Sequence, residues 1–349
     1  MSTLRHAPNY NLRRRPAKMT LNDPIAPTGA TTELHERLLA EAIESMTDTK
    51  ADVALLTEQR YTATVAAEGD WYLDNILRDD QLLQSALARH GISSVRIDWA
   101  KPEVDWSQFR CAVFRTTWDY FDRQREFTAW LNHVRGQTRL CNDAALISWN
   151  MDKHYLADLE AKGIPIVPSK FIERGSTLTL HELLDESGWD EAIIKPCISG
   201  AARHTYRLNR ESAAQLEPVV RQLLADESLI LQPLQQSVLH DGEDTLMLFN
   251  GRFTHAVRKI PKPGDFRVQD DYGGTALPHE PSAAQIEFAQ RVLAACQAAP
   301  AYGRVDLVRD NHGNLAVMEL ELIEPELWLR NHPPAATAFA DAIAKIVLA

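Results

Sequence analysis

Short apolar runs alternate with amphipathic helical patterns between residues 51 and 145. This pattern predicts strands at 53–57, 94–98 and 111–116 and helices at 75–89 and 123–134. Gly91 directly follows the first helix, where a glycine commonly forms the C-terminal cap. Strands and helices in alternation predict a parallel α/β sheet. No GxGxxG motif follows the first strand, which argues against a dinucleotide site.

Strands and helices mix without a fixed order after residue 146, which adds α+β character to the α/β fold class. We predict helices at 152–161, 211–224 and 282–298 and at the C-terminus, and strands at 192–195, 205–208, 229–232 and on both sides of 311–314. Asn250-Gly251 separates two apolar-rich runs and predicts a two-residue hairpin turn. The chain thus divides into four segments, at 1–50, 51–145, 146–235 and 236–349.

The first fifty residues differ from the rest in pattern. Residues 1–30 are polar and aperiodic, which is typical of a flexible tail. Residues 32–46 predict an amphipathic helix, with an apolar stripe formed by Leu34, Leu38, Leu39, Ile43 and Met46. We regard this helix either as a cap on the fold or as a candidate contact in a homodimer.

Composition and charge narrow the classes of partner. The chain has 349 residues, of which 45% are hydrophobic, and a net charge of −11, which disfavours nucleic acid and anionic membranes as partners. The four cysteines are far apart and form no CxxC or zinc motif. No apolar run approaches the roughly 18 residues of a transmembrane helix. We therefore expect a cytoplasmic protein with reduced thiols.

The most informative stretch is a strand, a turn and a second strand between residues 303 and 322. Because side chains alternate along a strand, Glu319 and Glu321 share one face of the second strand. A two-residue turn at His312-Gly313 would place Asp306 opposite Glu319, and opposed like charges destabilise a sheet. Mg²⁺ prefers such oxygen ligands and would offset the repulsion. The pattern therefore predicts a metal site, with a solvated acidic face as the alternative.

Several cations and small residues point to an anionic ligand. Lys195 ends an apolar strand, where a buried ammonium needs an anion as partner. Ser199 and Gly200 begin a run of small residues that lets backbone amides approach a phosphate. Further cations stand at Arg258-Lys259 and at Arg267, although arginines in loops are commonly only surface charges. The P-loop pattern GxxxxGK[ST] is absent, which argues against that type of phosphate site.

In their order along the chain, these segments resemble the ATP-grasp superfamily, which has a glutathione-synthetase-like ATP-binding fold preceded by a Rossmann-like domain. The resemblance covers residues 52–349. It implies ATP ligands at Lys153, Lys195, Ser199, Gly200, Gln232, Pro233, Leu234 and Glu243. It implies that Arg258, Lys259 and Arg267 contact the triphosphate and the acyl-phosphate. It implies one or two Mg²⁺ ions, replaceable by Mn²⁺, on Asp306, Glu319 and Glu321.

Two further stretches resemble one subgroup of that superfamily, to which the O-ureido-serine cyclo-ligase of cycloserine biosynthesis belongs. One stretch is Glu319–Pro325, where Glu321 replaces the asparagine of the commoner Glu-x-Asn motif. The other follows a predicted strand, where α/β folds bind ligands, and implies substrate contacts by Arg115, Thr117, Trp118, Asp119 and Tyr120. An ordinary strand end with a packed tryptophan is the alternative.

The resemblance implies a function for each part of the chain. Residues 51–145 would form the domain before the ATP-grasp fold, residues 146–235 its small lobe and residues 236–349 its large lobe. The chain would be an ATP-dependent carboxylate–amine ligase that acts through an acyl-phosphate on a small amino-acid-like molecule, either between two substrates or within one. A Mg-ATP-dependent small-molecule kinase and a non-catalytic nucleotide-binding module remain alternatives.

Overall fold

The first sheet is parallel, as the alternating pattern predicts. The computed structural model describes residues 51–269 and 272–349, so the predicted tail and the helix at 32–46 lie outside the described residues. The strands are β1 (Val53–Thr57), β2 (Ser94–Asp98), β3 (Cys111–Thr116) and β4 (Arg139–Cys141). They pair in the order β2-β1-β3-β4. The strand β4 was not predicted, because three residues are too few to show the alternation of apolar and polar positions that indicates a strand.

The part of the chain that forms the first sheet also contains two helices, α1 (Trp71–Arg89) and α2 (Gln124–Val134). The helix α1 begins four residues before its predicted start, because the side chain of Asp70 accepts a hydrogen bond from the backbone N–H of Leu73. Such an N-terminal cap satisfies a donor that the helix itself leaves unpaired. Gly91 follows α1 with a φ of 68°, which confirms the predicted C-terminal stop.

The second sheet is antiparallel and has the order β5-β8-β6-β7. Its strands are β5 (Lys170–Ile172), β6 (Glu191–Pro196), β7 (Tyr206–Asn209) and β8 (Leu229–Pro233). The helices of this region are α3 (Ala144–Asn150), α4 (Tyr155–Ala161), α5 (Leu180–Ser187) and α6 (Arg210–Asp226). The sequence prediction missed α3 and α5, and it began α4 too early. Lys153 therefore lies in the turn before α4.

The third sheet is also antiparallel, in the order β11-β10-β9-β12-β13. Its strands are β9 (Glu243–Phe249), β10 (Arg252–Ile260), β11 (Thr275–His279), β12 (Tyr302–Arg309) and β13 (Leu315–Glu321), and its helices are α7 (Gln236–His240), α8 (Ala283–Ala294) and α9 (Pro334–Leu348). Asn250 and Gly251 form the predicted turn, with φ values of 48° and 72°. Both angles are positive, as a type I′ hairpin requires.

The acidic hairpin has the predicted pairing but not the predicted turn. Residues 310–314 form a longer loop between β12 and β13, so a two-residue turn at His312-Gly313 is wrong. A β-bulge after Asp306 shifts the register by one residue, and such a bulge adds one residue to one strand. The two differences cancel, so that Asp306 faces Glu319 and Arg304 faces Glu321.

The C-terminal helix α9 packs against α1 and the core of the first sheet, although it follows the third sheet in the sequence. Phe339 of α9 is fully buried, with its ring centroid 5.0 Å from that of Phe249 and 4.9 Å from that of Tyr302. Burying one such side chain contributes about 2–3 kcal/mol. The helix therefore ties the first sheet to the third. Within the described residues, no helix has the length and apolar character that crossing a bilayer requires.

Candidate active site

Side chains from the second and third sheets, together with side chains from α1 and from the loop after β3, line one cleft of about 250 Å³. Most of the predicted site residues meet there: Trp118, Tyr120, Lys153, Lys195, Ser199, Gly200, Gln232, Pro233, Leu234, Glu243, Lys259, Arg267, Asp306, Glu319 and Glu321. These residues span more than two hundred positions of the sequence. Only the packing of the sheets brings them together.

Arg258 does not line this cleft, although the sequence grouped it with Lys259. Neighbouring residues of a strand point to opposite faces, so the two cations of β10 cannot both face the cleft. Arg258 instead forms an ion pair with Asp244 at 2.7 Å, whereas Lys259 is buried in the cleft wall. The alternation of side chains along a strand was visible in the sequence and could have assigned Arg258 and Lys259 to opposite faces of β10.

Three of the residues expected to contact substrate also lie away from the cleft lining. Arg115 is 3% exposed and its Nε is 3.0 Å from a carboxylate oxygen of Asp80. Thr117 is fully buried. Asp119 accepts hydrogen bonds from the indole of Trp99 at 2.8 Å and from Arg123 at 2.6 Å. These contacts make the three side chains part of the framework behind Trp118 and Tyr120.

Asp306 is the centre of the charge network. Its Oδ2 lies 2.7 Å from Nζ of Lys259, and its two oxygens lie 3.0 and 2.9 Å from nitrogens of Arg304. Lys259 also lies 2.5 Å from Glu243. Burial by itself would raise the pKa of Asp306, but Arg304 and Lys259 outweigh it and hold the pKa below its usual value. Asp306 is therefore a buried, ionised carboxylate.

The two glutamates of β13 have different environments. Glu319 lies 3.0 Å from Lys153, and the nearby Lys153 and Lys195 lower its pKa against the effect of burial. Glu321 pairs with Arg304, yet burial and the neighbouring carboxylates Asp306 and Glu319 raise its pKa to about 7. Lysines and an arginine thus offset part of the repulsion between the opposed carboxylates, a role that the sequence pattern assigned to Mg²⁺.

Lys195 has no carboxylate within 4.0 Å among residues 51–269 and 272–349. Burial, reinforced by repulsion from Lys153, lowers its pKa below the usual value. Lys153 by contrast pairs with Glu319 and donates to the backbone carbonyl of Ser199 at 2.7 Å. A half-buried ammonium without an anion is an unfavourable arrangement unless a ligand supplies the charge. Lys195 is therefore the strongest indication of an anionic ligand in the cleft.

The small-residue loop after β6 has an unusual backbone. Ala201, Ala202 and His204 all have φ near 50°, a left-handed conformation that is uncommon outside glycine. Successive amides in such conformations can converge on an anion. A Cβ at Gly200 would lie 2.6 Å from the ring of Phe121, so only glycine fits. The backbone conformation and the small side chains both suit a phosphate loop.

Two cleft residues were missed by sequence reasoning. Alternation of side chains already placed Arg304 on the same face of its strand as Asp306. Its contacts with both Asp306 and Glu321 depend in addition on the register between β12 and β13. Gln235 is 2% exposed and donates its amide to the backbone carbonyl of Pro233 at 2.9 Å. Its Oε1 has no partner among the described atoms. An unpaired buried acceptor of this kind is available to a ligand's amino group.

The acidic residues fit a hard cation unequally. The side chains of Glu319 and Glu321 are 27% exposed, whereas that of Asp306 is 2% exposed and both its oxygens already contact cations. Carboxylate oxygens that reach solvent suit Mg²⁺, which keeps part of its water shell and shares phosphate ligands. Glu319 and Glu321 therefore offer the accessible oxygens, and Asp306 holds the surrounding cations in place.

The fold belongs to a known class. The ATP-grasp ligase PsnB, solved with a minimal precursor, Mg and ADP, has a TM-score of 0.54 at 14% identity, covering 85% of this chain and 99% of that chain. This likeness shows the fold alone and confirms the predicted ATP-grasp architecture. The crystal structure of the D-cycloserine synthetase DcsG has a TM-score of 0.74 at 32% identity, covering 84% of this chain and 99% of that chain.

Sequence comparison identifies the family within this fold class. The model of the N-terminal domain of D-cycloserine synthetase DcsG matches residues 53–142. The cycloserine biosynthesis protein DcsG of Streptomyces lavendulae is 35% identical over 275 residues, which cover 73% of this chain and 89% of that protein. The chain belongs to the family of the D-cycloserine synthetase DcsG, and with it to the ATP-dependent ligases that form carbon–nitrogen bonds.

Proposed function

We propose that this ligase uses Mg-ATP to activate the carboxylate of an amino-acid-like molecule as an acyl-phosphate, which a nitrogen of the same molecule then attacks to close a ring. The observation that supports it best is the juxtaposition of Lys195, without a carboxylate partner, and the accessible oxygens of Glu319 and Glu321 in one cleft. Similarity to the D-cycloserine synthetase supports ring closure within one molecule. Joining two molecules is the alternative.

In this proposal the nucleotide occupies the cleft between the second and third sheets. Lys153 and Lys195 neutralise phosphate charge, and Ser199 and Gly200 begin the loop that covers the phosphates. Adenine lies beside Gln232–Leu234, where the unpaired Oε1 of Gln235 accepts a hydrogen bond from its amino group. Lys195 then gains the anion that it lacks in the free protein.

Glu319 and Glu321 would hold one or two Mg²⁺ ions, with Asp306 behind them, and Mn²⁺ would serve in the same place. The bound metal supplies charge neutralisation for the transferred phosphoryl group. Glu319 and Glu321 would hold that metal in the cleft, while Glu243 and Asp306 keep Lys259 in a fixed position. Fixed charges of this kind stabilise a transition state without reorganising.

The chemistry then requires two displacements. A carboxylate oxygen of the substrate attacks the γ-phosphorus, and the bond to ADP breaks. The substrate nitrogen next attacks the acyl carbon, loses its proton and expels inorganic phosphate. Arg267 and Lys259 line the cleft and would stabilise the acyl-phosphate; Arg267 would first exchange its contact with Asp265, at 2.7 Å, for that ligand. We also expect a cytoplasmic enzyme that acts in antibiotic biosynthesis and assembles as a homodimer.

ADP release with Mg-ATP tests this proposal against a panel of amino acids that includes both enantiomers of O-ureido-serine. We expect release that depends on one panel member and a cyclic product in mass spectrometry. Glu319→Gln should abolish release, whereas Glu160→Gln, on the exposed face of α4, should not. Thermal melting of both variants verifies folding. Release without a substrate, or equal rates in Glu319→Gln, would contradict the proposal.

Product analysis separates a ligase from a kinase. A ligase releases free phosphate in proportion to ADP, and a kinase retains the phosphoryl group on its product. We expect a phosphate-to-ADP ratio of about one. A stable phosphorylated product would assign the cleft to a kinase instead.

A further inference from the structure

Glu324 differs from the other carboxylates that line the cleft. Each of the others lies within ion-pair distance of a lysine or arginine: Glu243, Asp306, Glu319, Glu321 and Glu326. Glu324 has no such partner in the part of the chain that the structure describes. A half-buried carboxylate without a cation is unfavourable unless a ligand supplies the positive charge.

The position of Glu324 is fixed by the first sheet segment. The indole Nε1 of Trp118 donates a hydrogen bond to the backbone carbonyl of Glu324 at 2.9 Å. Trp118, Tyr120 and Glu324 all contribute to the lining of the cleft. Glu324 therefore lies at the end of the cleft where Trp118 and Tyr120 contribute to the lining.

Aromatic rings surround this end of the cleft. Tyr61, Tyr72 and Trp118 form a cluster with ring centroids 5.7 to 5.9 Å apart, and Tyr72, Trp118 and Trp328 line the cleft with Glu324. Aromatic faces attract ammonium groups, and the effect grows when water is excluded. A carboxylate beside such rings is a common arrangement for binding a small organic cation.

Local electrostatics favour the same class of ligand. Burial and repulsion from Glu321 raise the pKa of Glu324 well above its usual value, and a hydrogen bond from its own backbone N–H, together with the more distant Arg304 and Lys153, offsets this only in part. A cation that binds here would lower that pKa again and favour the ionised carboxylate. Two residues, Leu322 and Ile323, lie between Glu321 and Glu324 in the chain, so the backbones of the two glutamates lie at most about 11 Å apart. An α-amino acid carries its ammonium and its carboxylate on the same carbon, so an ammonium bound by Glu324 leaves the carboxylate close to this stretch of chain.

We propose that Glu324 binds the ammonium group of the substrate amino acid and makes the enzyme select substrates that carry this group. The assignment rests on the proposed function, since it takes the activated carboxylate to lie near Glu319 and Glu321. Glu324 is then a specificity-determining residue of the cleft.

Two substrates, measured with wild type and with two variants of Glu324, test the assignment. ADP release is measured for wild type and Glu324→Gln with O-ureido-serine and with its analogue lacking the amino group. We expect wild type to favour the amine by about 10- to 100-fold in kcat/KM, as is typical of a charged hydrogen bond. Glu324→Gln should reduce this preference to about twofold, and Glu324→Asp should restore part of it. The KM for ATP should not change.

Other results would overturn the assignment. Equal losses with both substrates in Glu324→Gln, or a raised Mg²⁺ requirement at unchanged substrate preference, would place Glu324 in a structural or metal-binding role. Calorimetric titration of O-ureido-serine onto the Mg²⁺ complex with a non-hydrolysable ATP analogue adds a readout that needs no turnover. Weaker binding by Glu324→Gln supports the assignment even if no cyclic product forms, and equal binding refutes it even if product does form.

Discussion

We call the parts of the cleft proposed for the nucleotide and for the substrate its nucleotide end and its substrate end, and each contains an ionisable group without an ion-pair partner. At the nucleotide end, Lys195 has no carboxylate within 4.0 Å among the described residues, and the loop after Gly200 has backbone φ angles near 50°. At the substrate end, Glu324 has no cation within that distance in the described part of the chain and shares the cleft lining with aromatic residues. Between them, Asp306, Lys259 and Arg304 form a network in which every charge has a partner.

This contrast separates charges that are paired within the fold from groups whose partner, in our proposal, is a ligand. Paired charges at the centre offset each other's burial, so they hold the strands in position without a ligand. Unpaired charges at the ends are costly in the free protein. A lysine at one end suits a phosphate, and a glutamate at the other suits an ammonium group.

Removal of the central carboxylate should give the largest effect. Asp306→Ala leaves Lys259 and Arg304 buried without their shared partner, which typically costs about 3–5 kcal/mol. We expect that loss in the free energy of unfolding measured with urea. Glu321→Ala is the matched control, because burial and neighbouring carboxylates already raise the pKa of Glu321 to about 7; its loss should cost less than about 1 kcal/mol. Similar costs for both variants would contradict the view that Asp306, rather than Glu321, is the shared partner of Lys259 and Arg304.

Replacement of the unpaired lysine should separate binding from stability. Lys195→Met removes a half-buried ammonium, so the free protein should be as stable as wild type or slightly more stable. The affinity for ATP should fall about 100-fold, because a charged contact to phosphate is lost. Calorimetry measures the affinity and thermal melting the stability. Lys170→Met, which removes a lysine paired with Glu186, should leave the affinity for ATP unchanged; a marked loss of stability in Lys195→Met would mean that Lys195 is structural.

A bulky residue at Gly200 should disturb both ends at once. Its Cβ would meet the ring of Phe121 at 2.6 Å, and overpacking of this kind costs about 1–3 kcal/mol. We expect Gly200→Val to raise the KM values for ATP and for the amino acid by about tenfold each in steady-state kinetics. Gly136→Val, where a Cβ meets only a backbone oxygen at 3.8 Å, is the control. A change in the KM for ATP alone would show that the two ends are independent.

Loss of one indole donor should give the smallest effect and only at the substrate end. Trp118→Phe removes the hydrogen bond to the carbonyl of Glu324, which is worth about 1 kcal/mol. The KM for the amino acid should rise about threefold to tenfold while that for ATP stays constant. Trp149→Phe also removes one indole hydrogen bond, to Asp158 at 2.7 Å, outside the cleft, and should change neither KM. A shift in the KM for ATP with Trp118→Phe would contradict the division between the ends.

Much of the fold could be predicted because its elements are long enough to show a period. The strands β1, β2 and β3 of the first sheet, the hairpin at Asn250-Gly251 and the C-terminal helix all have clear local signals. The strands β4 and β5 have three residues each and showed none. The loop at 310–314 was predicted too short, since a bulge is a property of paired strands and has no signature in one strand alone.

By itself, the sequence determined which side chains share a face. Alternation along β12 and β13 grouped Asp306, Glu319 and Glu321, and the order of the motifs along the chain indicated the family. Both signals can be read along the chain without knowledge of how the sheets pack. Tertiary structure alone decided which charges are paired. The partner of Glu319 comes from the turn before α4, and Arg115 became part of the framework because Asp80 of α1 lies beside it. Ion pairs between distant segments depend on how the sheets pack, and no local pattern encodes that packing.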